Sequence, residues 1–245
     1  MKSVILCEGG TDLTLIQYFM EVANGWVYNN RVKGYPIKNI KSQKAFTKNA
    51  HLLSIAETGG CSKLCPCLEQ FIKRIKLSAT SDEMVDRLVI ISDRDEIETV
   101  GEFLDEIGNI LSKNNVQDEN FVEDQWIDCS VQNGAGQNVQ FKILLLLIPF
   151  EETGALETFL LDAISASDEY DKNIIEKGKA FVNDADPEAR YLSKRRYKTK
   201  AEFDVYFSIR TAVEQFAERQ RILRKVQWEE YKVIQTGFKL LEDLA

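Results

Sequence analysis

The sequence has no apolar run long enough to cross a bilayer. Its longest apolar run covers residues 143–150, far short of the ~20 residues that a transmembrane helix needs. The early run Val4-Ile5-Leu6-Cys7 is too short for a signal peptide and has no cleavage site after it. We therefore expect a compact cytoplasmic protein that does not enter a membrane.

Histidine is scarce, and the net charge of the chain is negative. The single histidine, His51, lies where a predicted strand begins and has no evident triad partners, which argues against Ser/His catalysis. A net charge of -8 argues against a protein that coats nucleic acid with its whole surface. Lysine and arginine are nevertheless concentrated in residues 31–48 and 190–200, two segments without an acid. We call these segments the first and second basic islands.

Cysteine is too sparse and too unevenly placed for a disulfide framework. There are five cysteines, an odd number, and Cys7 lies in a predicted buried strand, which favours reduced thiols. Cys61, Cys65 and Cys67 form a C-x3-C-x-C group, but only the distant Cys129 could complete it. Because a structural zinc site normally needs four ligands, we expect free thiols.

Short β-like runs alternate with amphipathic helices in the first half of the chain. This alternation predicts an α/β fold with a parallel sheet covered by helices on both faces. Residues 24–49 are polar, basic and interrupted by glycine and proline, so we interpret them as a loop insertion that leaves the core. The predicted strands are residues 4–7, 51–56, 87–92 and 141–148, with a weaker one at 125–129.

The pattern becomes helical after residue 153 and stays so to residue 245, with breaks near Asp186-Pro187 and at Gly237. One apolar stripe at helical spacing covers residues 155–165. We therefore predict two regions: an α/β domain of residues 1–165, with the basic insertion at 24–49, and a helical carboxy-terminal region of residues 166–245.

Carboxylates follow separate predicted strands. Glu8 follows the first strand and Asp12 opens the next helix, while Asp93 and Asp95 follow the strand at 87–92. The carboxyl ends of parallel strands meet at one edge of a sheet, where ligands bind. Clustered carboxylates repel one another unless a cation neutralises them, and Mg²⁺ prefers oxygen ligands. The sequence thus predicts a Mg²⁺ site, also open to Mn²⁺, with chemistry suited to phosphoryl transfer.

This arrangement resembles the Toprim domain, the metal-binding module of topoisomerases, bacterial-type primases, recombination mediators and OLD-family nucleases. The resemblance covers about residues 1–165 and is carried by three segments that each follow a predicted strand: Glu8-Gly9-Gly10-Thr11-Asp12, Gly59-Gly60 and Asp93-Arg94-Asp95. A Walker motif, a zinc ribbon and a topoisomerase-type tyrosine context are all missing from the sequence. The pattern is closest to that of a stand-alone Toprim-like protein related to the OLD-family nucleases.

The resemblance implies a catalytic site of Glu8, Asp93 and Asp95. Glu8 would be a metal ligand or general base, and the paired aspartates would hold Mg²⁺. Asp12 would support the metal site, and so would Glu157, since Gly154-Ala155-Leu156-Glu157-Thr158-Phe159 is similar to the segment that follows the Toprim core. We therefore expect a magnesium-dependent, nuclease-like protein that processes phosphodiesters of DNA or RNA.

Several basic side chains could contact the nucleic-acid phosphates. Tyr191 and Tyr197 lie among the cations of the second basic island, a combination that suits single-stranded nucleic acid. Solvated lysines and helix packing explain the same residues equally well. The candidate contacts are Lys63, Arg195, Arg196, Lys198 and Lys200.

Two other functions are compatible with the same residues. A non-catalytic Toprim-like module could act with a protein partner, or Asp93-Arg94-Asp95 could hold a nucleotide diphosphate in a metal-dependent nucleotidyl or glycosyl transferase. A receiver-like domain fits less well, because its carboxylate pair should follow the first strand. Both a protein partner and a homo-oligomer remain open.

Overall fold

The computed structural model describes residues 1–78, 84–94, 97–118, 121–150, 152–213 and 219–245. Its core is an eight-stranded sheet with the order β2-β3-β4-β1-β5-β8-β7-β6. The strands are β1 (Lys2–Cys7), β2 (Val27–Tyr28), β3 (Ser42–Lys48), β4 (His51–Glu57), β5 (Arg87–Asp93), β6 (Gln117–Asp118), β7 (Trp126–Gln132) and β8 (Asn138–Ile148).

Helices cover both faces of this sheet, and a short 3-10 turn at Cys61–Lys63 precedes the second of them. Among the residues that the structure describes, every helix is too short or too polar to cross a membrane. The helices are α1 (Gly10–Val22), α2 (Leu64–Leu77), α3 (Ile97–Lys113), α4 (Leu156–Ser167), α5 (Glu169–Ala185), α6 (Arg195–Arg210), α7 (Arg219–Leu223) and α8 (Lys232–Gly237).

The four central strands β4, β1, β5 and β8 are parallel, as the sequence predicts, while the strands at both edges pair antiparallel. Alternate residues of each central strand enter opposite hydrophobic clusters: Ile5 and Val89 lie in one, Leu6 and Ile90 in the other. Burial of both faces explains why these strands are continuous apolar runs in the sequence. The predicted α/β fold with helices on both faces is confirmed.

The predicted loop at residues 24–49 is wrong at Val27–Tyr28, which forms β2, and in its last part. Ser42–Lys48 forms β3, which pairs antiparallel with β4 through a tight turn in which Asn49 has a φ of 53°. Phe46 and Ala45 are buried in this strand, and the basic residues around them obscured its β character in the sequence. Part of the first basic island therefore lies on the sheet.

The carboxy-terminal region is helical, as predicted, and its described residues contribute to the core of the sheet. Phe203, Trp228 and Phe238 lie in the same hydrophobic cluster as Ile5 and Val89. α4, α5 and α6 pack against one another, and α7 contacts α1. Residue 165 is therefore not a boundary between separate hydrophobic cores.

The chain order places a crevice at the carboxyl end of β1. β4 lies on one side of β1 and β5 on the other, so the direction of chain travel across the sheet reverses at β1. Loops on the two sides of such a switch point diverge and leave room for a ligand. Glu8 and Asp93 lie at this crevice.

Candidate metal centre

Glu8 is the first residue after β1 and is bound to the end of β5. Its Oε1 atom accepts hydrogen bonds from Ser92 Oγ, 2.6 Å away, and from the Asp93 amide, 2.9 Å away. The parallel register, which pairs Cys7 with Ile91, brings these residues side by side. The fold itself therefore fixes the Glu8 carboxylate next to Asp93.

The glycine pair after β4 is hydrogen-bonded to the main chain of Glu8. The amides of Gly59 and Gly60 both donate to the Glu8 carbonyl oxygen at 2.9 Å. Their φ angles are 89° and 130°, in the region that glycine adopts without steric cost. The two glycine-containing segments of the sequence thus form one unit that shapes the backbone around Glu8.

Asp12 lies in the first turn of α1, where its Oδ2 atom accepts a hydrogen bond from the Gly9 amide at 2.7 Å. Desolvation by the surrounding protein raises the pKa of Asp12 to about 7, and the charges of Glu8 and Glu157 add to this increase. The Gly9 amide and the Lys200 charge oppose it. The pKa of Asp12 is therefore raised to about 7 chiefly because the group is desolvated, and secondly because it lies near other acids.

Asp93 ends β5 and binds the beginning of α4. Its Oδ1 atom accepts a hydrogen bond from the Leu156 amide at 3.0 Å, and the next residue, Glu157, is only 4% exposed. Desolvation raises the pKa of Asp93 well above its usual range, with added contributions from the charges of Asp12, Glu8 and Glu157. The charges of Glu8 and Glu157 thus raise the pKa of both Asp12 and Asp93.

Arg94, the middle residue of the D-R-D segment, is buried and bound to protein groups. Its Nε donates to the Pro149 carbonyl at 2.8 Å, and its guanidinium binds the Glu123 carboxylate. Its amide donates to the Ile148 carbonyl and its carbonyl accepts from the Gly154 amide. Arg94 therefore ties the loop after β5 to the loop after β8 and fixes Asp93 relative to α4.

An open cleft of about 1240 Å³ collects these groups. Asp95 lies outside the residues that the structure describes. Arg195 and Lys198 belong to α6 but are not among the described residues that line the cleft. The predicted site residues that line it are Glu8, Asp12, Asp93, Glu157, Lys63, Arg196 and Lys200.

The donor chemistry of the cleft fits a hard divalent cation. Among the residues that the structure describes, no three Asp, Glu, His or Cys side chains form a complete set of metal ligands. Mg²⁺ requires only one or two carboxylates, because water and substrate phosphate complete its octahedron. Burial, and secondly the charges of neighbouring acids, raise the pKa values of Asp12 and Asp93, and a bound cation would favour their charged forms.

Residues 2–235 match the family described as "Protein of unknown function (DUF3226)". The chain belongs to this family. No curated protein matches the sequence.

Two solved structures were also compared with this DUF3226 chain. Hypothetical protein PH0156 from Pyrococcus horikoshii OT3 is 19% identical, with coverage of 99% of this chain and 98% of that one and a TM-score of 0.50. This likeness concerns the fold alone. Lactoylglutathione lyase from Agrobacterium tumefaciens is 9% identical, with coverage of 58% and 92% and a TM-score of 0.17, too low to support a structural argument.

Three residues that bind carboxylates of the DUF3226 cleft were missed in the sequence, and one of them, Lys41, lines the cleft itself. Ser92 orients Glu8, and its position directly before Asp93 was the available signal. Lys41 binds Glu57 at 2.9 Å, and Ser42 Oγ donates to the same carboxylate at 2.9 Å. Burial tends to raise the pKa of Glu57, but these two partners outweigh it and lower that pKa. The loop interpretation of residues 24–49 concealed Lys41 and Ser42.

Proposed function

We propose that this DUF3226 protein is a Toprim-like, magnesium-dependent enzyme that processes phosphodiester bonds of nucleic acid. The observation that carries the proposal is the convergence of Glu8, Asp12, Asp93 and Glu157 on one cleft. These carboxylates come from the ends of β1 and β5 and from the first turns of α1 and α4. Oxygen ligands at the switch point of an α/β sheet suit a hard cation and a phosphate-containing substrate.

Glu8, Asp93 and Asp95 are the proposed catalytic residues. Asp93 and Asp95 would hold the ion, Glu8 would be a further ligand or the general base, and Asp12 and Glu157 would support the site. A bound Mg²⁺ polarises a phosphoryl oxygen and lowers the pKa of a coordinated water. Glu8 is oriented by the Ser92 hydroxyl and by a main-chain amide, so its carboxylate is positioned to take a proton from the attacking water.

Basic residues around the cleft would offset its repulsion of a phosphate backbone. Lys63, Arg196 and Lys200 line the cleft together with the acids. Arg195 and Lys198 lie on the same helix as Arg196 and would contact phosphates farther along the strand. Because each phosphate contact releases counterions, binding by these residues should weaken as salt rises.

Cleavage of end-labelled oligonucleotides tests the activity. The purified protein is incubated with single-stranded DNA, duplex DNA and RNA in Mg²⁺, Mn²⁺ or EDTA. Asp93→Asn keeps an oxygen that can accept from Leu156 but removes the charge, and we expect it to lower the cleavage rate by at least about 100-fold. Asp128→Asn is the matched control, because Asp128 is an exposed acid on β7 that pairs with Lys142. Cleavage that survives both EDTA and Asp93→Asn would contradict the proposal.

A calorimetric Mn²⁺ titration separates the metal site from turnover. Ion binding that Asp93→Asn abolishes, without cleavage of any nucleic acid, would favour the non-catalytic binding module. Binding and turnover of a nucleotide sugar would instead favour the transferase. Each structural observation that supports one of these alternatives also supports the phosphodiester proposal.

A cytoplasmic location is part of the proposal. All five cysteines are free thiols, and Cys61 is exposed. Thiols persist in a reducing compartment, where disulfides are rare.

A further inference from the structure

Two arginine–tyrosine pairs lie in the second basic island, and Arg196 of one pair lines the cleft. The Arg190 guanidinium carbon is 5.3 Å from the centre of the Tyr191 ring, and that of Arg196 is 5.1 Å from the Tyr197 ring. Tyr191 is 70% exposed and Tyr197 is 38% exposed. We name these four residues the tyrosine platform.

The loop that carries half of the platform has an ordered backbone. The Asp186 carboxylate accepts hydrogen bonds from the amides of Arg190, Tyr191 and Leu192, at 3.0, 2.7 and 2.7 Å. The Ala189 amide donates to the Asp186 carbonyl at 2.9 Å. Asp186 therefore organises the turn that brings Arg190 and Tyr191 to the beginning of α6.

The platform is continuous with the cleft. Arg196 belongs to the platform and also lines the cleft, and Lys200, one turn later on α6, lines it too. A nucleic-acid strand with a phosphate at the carboxylates would therefore have its neighbouring nucleotides near Tyr197. Exposed aromatic rings among cations stack on bases while the cations contact the backbone.

We propose that the tyrosine platform stacks on unpaired bases, so that the protein selects single-stranded nucleic acid. This inference rests on the proposed function. In a duplex the faces of the bases are covered by their neighbours, so the rings have no partner to stack on. Phosphate contacts by Arg196 and Lys200 would serve both kinds of substrate, whereas Tyr191 and Tyr197 would serve only the single strand.

Fluorescence anisotropy with a labelled mixed-sequence DNA oligonucleotide and its duplex, both in EDTA, tests the platform without turnover. Replacement of both tyrosines, Tyr191→Ala with Tyr197→Ala, should weaken single-strand binding by about tenfold or more and leave duplex binding within about twofold. Tyr191→Phe with Tyr197→Phe keeps both rings and should bind like the wild type. Tyr170→Ala is the matched control, because Tyr170 is 77% exposed at the other end of α5 from Asp186.

The outcomes separate this inference from the proposed activity. Equal affinity of the wild type for single strand and duplex, or a double alanine variant that binds single strands normally, would overturn the platform. Metal-dependent cleavage could still be intact in either case. Conversely, tyrosine-dependent single-strand binding without any cleavage would support the platform and contradict the enzymatic proposal.

Discussion

The Leu156 amide donates a hydrogen bond to Oδ1 of Asp93, 3.0 Å away, and so joins the beginning of α4 to the end of β5. This contact brings Glu157 to the carboxylates of the sheet edge. An amide at a helix N-terminus stabilises a charged carboxylate, yet the pKa of Asp93 is raised because desolvation and three neighbouring acids outweigh it. Burial, reinforced by neighbouring negative charge, thus dominates the electrostatics of Asp93.

Mg²⁺ should stabilise the wild-type protein against thermal unfolding. A ligand that binds only the folded state adds RT ln(1 + [L]/Kd), which is about 1.4 kcal/mol at ten times the dissociation constant. We expect differential scanning fluorimetry to show a rise in Tm with Mg²⁺ or Mn²⁺ that EDTA reverses. Asp93→Asn should lose most of this rise, whereas Asp128→Asn should keep it. An equal rise in both variants would mean that the ion binds elsewhere.

Asp12→Asn should make the metal-free protein more stable at neutral and alkaline pH. The pKa of Asp12 is about 7 in the folded state against a reference of 3.8, so the folded state holds more protons between these values. The stabilisation that comes from protonation of Asp12 is therefore fully present below about pH 4 and is lost as pH rises through about 7. The shift corresponds to at most about 4 kcal/mol, and asparagine removes this loss while an oxygen remains for the Gly9 amide.

Urea unfolding in EDTA at pH 5 and pH 8 measures this effect. The advantage of Asp12→Asn over the wild type should be larger at pH 8 than at pH 5. An advantage that does not grow with pH would show that Asp12 is not held among uncompensated acids.

Arg94→Lys should loosen the loops that carry Asp93 and Glu157. Lysine cannot donate to Pro149 and to both oxygens of Glu123 at once, so the substitution leaves buried groups incompletely bonded. We expect a loss of about 2–3 kcal/mol in the free energy of unfolding and weaker Mn²⁺ binding by calorimetry. Arg190→Lys, at an exposed arginine, should change stability by no more than about 0.5 kcal/mol. Unchanged Mn²⁺ affinity in Arg94→Lys would refute the positioning role.

Gly60→Ala and Gly101→Ala should change stability in opposite directions. A methyl group meets nothing within 4 Å at either site, but only Gly60 has a positive φ, 130°. Backbone strain should cost Gly60→Ala about 1–3 kcal/mol. Gly101 lies in α3 and is exposed, so alanine there should stabilise the protein by about 0.5–1 kcal/mol. Chemical denaturation of the two variants checks both signs.

The parts of the fold that the sequence predicted are those with strong local signals. The buried central strands are recognisable in the sequence because burial of both faces gives them continuous apolar runs, such as Leu88-Val89-Ile90-Ile91. β3 was missed because its partner is β4 and its own composition is basic, so its stability comes from pairing rather than from propensity. The contacts by which the carboxy-terminal helices join the core of the sheet are not apparent from the sequence, since they link residues as distant as Phe19 and Phe238.

The proximity of several candidate site residues could be predicted from the sequence, but the hydrogen bonds between them could not. Glu8, Asp12 and Asp93 each follow a strand or open a helix, which parallel topology converts into proximity. The position of Ser92 before Asp93 places it near the site, but the sequence does not show that its hydroxyl binds Glu8 or that Arg94 binds Glu123 instead of a substrate. Such contacts depend on side-chain geometry across loops that are far apart in the chain.

The contact between Ser3 and Leu244 has a practical consequence for dissecting this protein. The Ser3 hydroxyl donates to the Leu244 carbonyl. Ser3 lies in β1, and Leu244 is buried in the same hydrophobic cluster as Ile5. A fragment of residues 1–165 would leave a broad apolar surface of the sheet and α4 in water and would be prone to aggregate. Fluorescent probes near Ser3 and near Leu244 should consequently report one cooperative melting transition at one temperature.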